Sequence, residues 1–194
     1  MKKISINKLL DSIKNGYFIQ IGSHDGISNE EYGLRNKLIT EKHTAILIEP
    51  IPKFFNQISK NYTNSTSEIF FENIAISNKK EIKDIIVNGQ DSSFVRDIVG
   101  EKLKVNCDTM ESIFKKYNFP KVNGLFIDTE GYEFDILTSM FSQNYPQIDF
   151  IRYEFFWNSE KEKLDKLLYS NSYDVYQDEE SYADKIAIHK SINF

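Results

Sequence analysis

Cysteine and tryptophan are almost missing from this 194-residue chain: Cys107 and Trp157 stand alone. One cysteine can form neither an internal disulfide nor a thiolate metal cluster. As a nucleophile it would need a setting that lowers its pKa, so a structural thiol is the expected role. Proline and glycine are also sparse, at 4 and 8 residues scattered through turns. No Pro/Gly-rich linker, repeat or low-complexity tract divides the sequence, and a single domain over 1–194 is the simplest organisation. No apolar run approaches the roughly 20 residues that span a bilayer. The start, Met1-Lys2-Lys3 followed by Ile4-Ser5-Ile6-Asn7, lacks the apolar core of a signal peptide. A cytoplasmic protein with no membrane partner is therefore expected, and the acceptor-like triplets at Asn61 and Asn64 are read as ordinary loop residues. Basic charge is in deficit too. With 24 Lys+Arg against 29 Asp+Glu the net charge is -5, which argues against a grip on nucleic-acid phosphates.

What the chain does have is apolar and aromatic material, 40% and 14% of its residues, including 15 Phe and 11 Tyr. At this length that suffices for a full core. Apolar runs and helical patterns alternate as in an α/β sheet. Short apolar runs at 17–21, 44–48, 68–71, 122–127 and 148–153 read as strands, and the lack of alternation in 44–48 marks burial on both faces. Helical patterns fall at 7–15, 28–40, 51–60, 109–117, 132–140 and 160–169. Pro52 lies in the first turn of its helix, where a missing N–H costs nothing, and Asp108 is the expected cap of the helix at 109–117. Two closing strands, 173–176 and 185–189, are joined by a polar turn and expected to be antiparallel. Between 79 and 106 two short strands flank a polar stretch, an expected β insertion.

The stretch Phe18-Ile19-Gln20-Ile21-Gly22-Ser23-His24-Asp25-Gly26 is an apolar run ending in a Gly-x-x-x-Gly turn. Glycine there lets bare backbone approach a ligand. The next apolar run ends at Glu49, an acid placed to accept hydrogen bonds from ribose hydroxyls. The Gly-x-Gly-x-x-Gly fingerprint of dinucleotide sites fails, because His24 and Ile27 stand where it needs glycines. A cofactor with an adenosine and no phosphates, S-adenosylmethionine, fits better than a nicotinamide or flavin. Parallel sheets bind ligands outside the carboxyl ends of their strands. At those ends lie Gly22 to Gly26, Glu49, Asn73, Asp128 with Glu130, and Glu154. Each alone could be a helix cap or a solvated turn residue; as a set they outline a cleft.

The segment Phe126-Ile127-Asp128-Thr129-Glu130-Gly131-Tyr132-Glu133-Phe134-Asp135-Ile136-Leu137 resembles the Asp-x-Glu-Gly-x-Glu signature of FkbM-type methyltransferases. The turn at Gly22, Ile48-Glu49-Pro50, Asn73-Ile74-Ala75-Ile76-Ser77, Ser92-Ser93 and Cys107-Asp108-Thr109-Met110 follow in the family's order, so the resemblance runs over about 17–153. It implies a class I methyltransferase Rossmann-like fold: a seven-stranded, mostly parallel sheet with an antiparallel last strand, helices on both faces and a small β insertion before the fourth strand. It implies an S-adenosylmethionine-dependent O-methyltransferase acting on hydroxyls of sugars, glycans or related natural products. On that basis Gly22, Ser23, Asp25 and Gly26 would wrap the methionine part of the cofactor, Glu49 would hold the ribose, and Asn73, Ile74 and Ala75 would lie along the adenine. Asp128 would sit near the transferring methyl and the acceptor hydroxyl, with Glu130 beside it as a positioning group or base.

His24 is a further candidate base, although its place in the turn suits a structural or cofactor-facing role better. His43 and His189 read as structural. Some related families hold a divalent metal with acids to orient a diol. Asp128, Glu130 and Glu154 could do this, although nothing in their spacing demands it. The first turn departs from the family pattern, with Ser23-His24-Asp25 where many relatives carry Ala-Asn-x. An acceptor-binding cap would have to come from the insertion or a partner chain, and the sequence leaves the oligomeric state open. Two rival functions have less support. Methylation of a nucleic-acid base would call for a motif of the Asn/Asp-Pro-Pro-Tyr type, and Asp128-Thr129-Glu130-Gly131 stands in its place. A catalytically inactive Rossmann-like binding or scaffold module would use a patch such as Phe155-Phe156-Trp157 as an exposed contact surface.

Overall fold

The computed structural model describes residues 2–27 and 33–193. In chain order the elements are β1 (Lys3–Ile4), α1 (Ile6–Ser12), β2 (Tyr17–Ile21), α2 (Leu34–Thr40), β3 (Thr44–Ile48), α3 (Pro52–Asn61), β4 (Glu68–Glu72), β5 (Ala75–Ile76), β6 (Glu81–Val87), β7 (Glu101–Asp108), α4 (Met110–Tyr117), β8 (Val122–Ile127), α5 (Glu133–Phe141), β9 (Ile148–Glu154), α6 (Lys161–Ser170), β10 (Tyr173–Asp178) and β11 (Asp184–His189).

Among the described residues, eight strands form the main sheet in the order β1-β10-β11-β9-β8-β2-β3-β4. Strands β9, β8, β2, β3 and β4 run parallel, while β11 is antiparallel to both of its neighbours. The interior strands are buried on both faces: every residue of β8 and β9 is buried, as expected where helices cover both sides of a parallel sheet. Side chains alternate across a strand, and the two resulting cores divide accordingly. Ile19, Ile21, Ile46, Ile48, Leu125 and Ile127 join residues of α4, α5 and α6 on one face. Phe18, Ala45, Leu47, Phe126 and Phe150 pack with α1, α2 and Ile58 of α3 on the other. A smaller three-stranded sheet, β5-β7-β6, is the insertion. The antiparallel pairing of β6 with β7 matches the expected insertion. Cys107 is buried within it, and burial pushes its thiol pKa up, as suits a structural thiol.

Some boundaries depart from the sequence expectation. The sheet has eight strands rather than seven, because Lys3–Ile4 adds a parallel edge to β10. Two residues are too short to carry a periodic signal. Helix α1 stops at Ser12, with Ile13 already extended. The cap of α4 is Thr109, whose side chain accepts from the Ser112 N–H; Asp108 instead accepts from the Thr109 N–H at 2.8 Å. The helix expected over 28–40 is seen as α2 from Leu34, and its expected first residues lie outside the described ones. No helix among the described residues is long and apolar enough to cross a membrane.

The chain leaves β2 for β3 on one side, whereas β8 lies on the other side of β2. This reversal opens a crevice at the carboxyl ends of β2 and β8, the usual ligand position in such sheets.

Candidate active site

Backbone geometry at the crevice requires glycine at the end of β2. Gly22 has φ +81°, and a Cβ there would lie 1.8 Å from the carbonyl oxygen of Asp128. Its N–H and that of Ser23 both donate to the Ile48 carbonyl, at 3.0 and 3.1 Å, while the Asp128 N–H donates to Ile21. The three strand ends are thereby tied into one rim. Ser23 is fully buried, and its hydroxyl donates to the Gln20 carbonyl and accepts from the Ile48 N–H. Its side chain joins β2 to β3. Asp25 accepts from the Ile27 N–H, and Asn61 donates to the Asp25 carbonyl at 2.7 Å. Gly26 also has positive φ, and a Cβ there would meet the Tyr62 ring at 2.7 Å.

A cavity of about 220 Å³ opens on this rim, and Gly22, Glu49 and Asp128 share it. Ile74, Ala75, Ile51 and Ile76 supply an apolar wall, and Gln90, Ser92 and Phe94 of the insertion close another side. His24, in the left-handed region at φ 47°, also lines the cavity. Its ring packs on Phe54 with centroids 3.8 Å apart. Its Nδ1 lies 3.3 Å from Asp25, yet neither ring nitrogen makes a hydrogen bond among the described residues. Ser23, Asp25, Gly26 and Asn73 are not in the cavity lining. Asn73 donates instead to the carbonyls of Glu49 and Pro50, at 2.9 and 3.1 Å.

Glu49 is buried, and each carboxylate oxygen accepts one backbone N–H: Oε2 from His24 and Oε1 from Ile51, both at 2.9 Å. Burial pushes its pKa up to about 7 against the pull of those two donors. A carboxylate oxygen can accept more than one hydrogen bond, so capacity remains on both for a diol in the cavity.

The loop after β8 carries two consecutive residues with positive φ, Glu130 at 56° and Gly131 at 107°. Glu133, fully buried at the start of α5, fastens that loop. Its Oε1 accepts from the Thr129 N–H, the Thr129 hydroxyl and the Gly131 N–H; its Oε2 accepts from Asn158 at 3.1 Å. Sequence reasoning gave Glu133 no role. The available signal was an acid in the first turn of a helix, where it can reach back to unsatisfied N–H groups. The insertion clasps the same loop from outside: Arg96 pairs with the Glu130 carboxylate and lies 4.1 Å over the Trp157 ring, and the Ser93 hydroxyl donates to the Glu130 carbonyl at 2.8 Å.

Asp128, Glu130 and Glu154 converge, with one oxygen from each lying within 4.8 Å of the others. Burial raises all three pKa values. Glu154 rises to about 10, with Asp128 and Glu130 adding repulsion; Glu130 rises to about 7, with Arg96 pulling the other way. Asp128 is held well above the usual carboxylate range by burial and then by Asp184, Glu130 and Glu133. Such a group accepts a proton readily, and positive charge entering the cavity would favour its ionised form.

A model of the methyltransferase FkbM domain matches residues 20–175. The chain belongs to the FkbM methyltransferase family. Its sheet and covering helices are the Rossmann-like arrangement of that class, with the insertion of this member placed between β4 and β8. As a methyltransferase of this family, it belongs to a group that in general uses S-adenosylmethionine. Among solved structures the chain is similar to a precorrin-6y C5,15-methyltransferase from Geobacter metallireducens GS-15, at 11% identity over 88% of this chain and 71% of that one, with a TM-score of 0.46. It is also similar to a ribosomal protein L11 methylase from Lactobacillus delbrueckii subsp. bulgaricus, at 8% identity over 94% of this chain and 74% of that one, with a TM-score of 0.46. Among curated proteins no match is found.

Proposed function

We propose that this FkbM-family chain is an S-adenosylmethionine-dependent O-methyltransferase whose acceptor is a hydroxyl of a sugar, a glycan or a related natural product. The observation that carries this reading is the single cavity shared by Gly22, Glu49 and Asp128. The residues fit the cofactor. Glu49 keeps acceptor capacity for two ribose hydroxyls, the Ile74-Ala75 wall suits a flat adenine, and the surplus of carboxylates suits a cation. Bound S-adenosylmethionine supplies an electrophilic methyl group on a positively charged sulfur. The chain's own contribution is to bring an acceptor oxygen into line with that methyl and to exclude water, which accounts for much of the rate in such transfers. Asp128 is the group assigned to take the hydroxyl proton as the new bond forms. Glu130, held by Arg96, positions the acceptor beside it. Gln90, Ser92 and Phe94 line the side from which an acceptor would enter. A small-molecule or glycan partner, rather than nucleic acid or membrane, and a cytoplasmic location belong to the same reading.

Calorimetric titration with S-adenosylmethionine and with its demethylated product tests the first half. Binding of both is expected, and binding of neither would overturn the assignment. Methyl transfer to a panel of hydroxylated sugars, followed by mass spectrometry, tests the acceptor. A gain of one methyl on oxygen is the expected product.

A further inference from the structure

We propose that Asp128, Glu130 and Glu154 form a binding site for one oxygen-ligated divalent cation at the floor of the cavity. The three acids end neighbouring parallel strands, β8 and β9, and all three line the cavity. Because their nearest oxygens lie within 4.8 Å of one another, some point lies within about 2.8 Å of all three. That is close to the 2.3–2.6 Å preferred by a calcium-sized ion and needs only a small contraction for manganese or magnesium. An acid cluster alone would say little. Here Glu154 is only 8% exposed, and its Oε2 is buried with no hydrogen-bond partner among the described residues. A buried carboxylate oxygen facing a cavity without a donor calls for a cation or a proton.

The neighbouring acids are already engaged, which confines the site to these three. Glu133 accepts four hydrogen bonds from the loop and Asn158. Asp184 pairs with Arg152 at 3.0 Å and accepts from Ser181. Arg96 engages the Oε2 of Glu130, which leaves its other oxygen for a cation. Three protein ligands leave open coordination positions toward the cavity, where two vicinal acceptor oxygens could complete the shell. That orienting role rests on the O-methyltransferase reading; cation binding itself does not.

Mn²⁺ titration of the cofactor-free protein, followed by electron paramagnetic resonance, tests the site. One Mn²⁺ per chain is expected, with a Kd below about 1 mM and displacement by Ca²⁺. Glu154→Gln should weaken it at least about tenfold, while affinity for the demethylated cofactor shifts by less than about threefold. Absence of Mn²⁺ binding, or equal binding in the variant, would overturn the proposal. Should Glu154→Gln fail to fold, Glu130→Gln carries the same two expectations. Failure to bind the demethylated cofactor would instead strike the methyltransferase reading and leave the cation site standing.

Discussion

Two buried acid clusters lie side by side on β9, and they are finished differently. Arg152 donates from Nε to Asp178 at 2.7 Å and pairs through Nη2 with Asp184 at 3.0 Å, all three side chains being almost wholly buried. This group ties β9 to β10 and β11. Two residues further along the same strand stands Glu154, opposite Asp184 in the β9–β11 register. It shares its surroundings with Asp128 and Glu130, of which Glu130 pairs with Arg96, while the charge of Arg152 also reaches Asp128. The first cluster carries its own countercharge and holds strands together. The second is left short of positive charge next to a cavity, at a cost in stability that ligand binding can offset.

Breaking the first cluster should produce the largest effect on the fold. Arg152→Met leaves two buried acids without their partner and is expected to cost about 3–5 kcal/mol in urea denaturation. Glu154→Gln, two positions away, should change stability by less than about 1 kcal/mol. An equal loss in both variants would erase the distinction between the clusters. Next in size is the effect on catalysis. Asp128→Asn should lower methyl transfer by about 10²–10⁴-fold, with affinity for the demethylated cofactor kept within about tenfold. Retained transfer would remove the role given to Asp128.

The same contrast explains what could and could not be read from the sequence. Strand ends are local features, so Gly22, Glu49 and Asp128 could be placed on one rim from apolar runs and the turns that stop them. The chemistry of side chains within the rim depends on distant partners. Ser23 and Asn73 stand beside the cavity in sequence, yet the hydroxyl of one and the amide of the other are taken up by neighbouring backbone. The clasp between Arg96 and Glu130 spans 34 positions of chain, and no local pattern reports it. The edge strand β1 leaves no local signal for a related reason, since its pairing is set by Gln177 and Asp178 far along the chain. Glu133 shows the opposite case: it lies within the signature, but its work is to fasten the loop that carries Glu130. Glu133→Ala strands the Thr129 and Gly131 N–H groups and should cost about 1–3 kcal/mol by thermal denaturation. It should also reduce transfer by more than the stability loss explains, because the left-handed turn at Glu130 loses its fastening.

The smallest expected effect comes from Glu49, an acid that resembles Glu154 in burial but has backbone donors on both oxygens. With a pKa raised to about 7 by burial, it is mostly protonated at pH 6 and mostly ionised at pH 8. If ribose hydroxyls donate to the carboxylate, affinity for the demethylated cofactor should rise by up to about tenfold over that range. Stability should move the other way. A raised pKa means that the folded state holds the proton between about pH 4.5 and 7 while the unfolded chain has lost it, so this contribution is present at low pH and lost as pH rises through 7. Glu49→Gln should flatten the binding profile and remove its share of the stability slope, leaving the part due to the other acids with raised pKa values, Asp128, Glu130, Glu133, Glu154 and Asp178 among them. Calorimetry at three pH values, paired with melting curves of the cofactor-free protein, reads both trends. A binding profile equally steep in the variant would move the ribose contact away from Glu49.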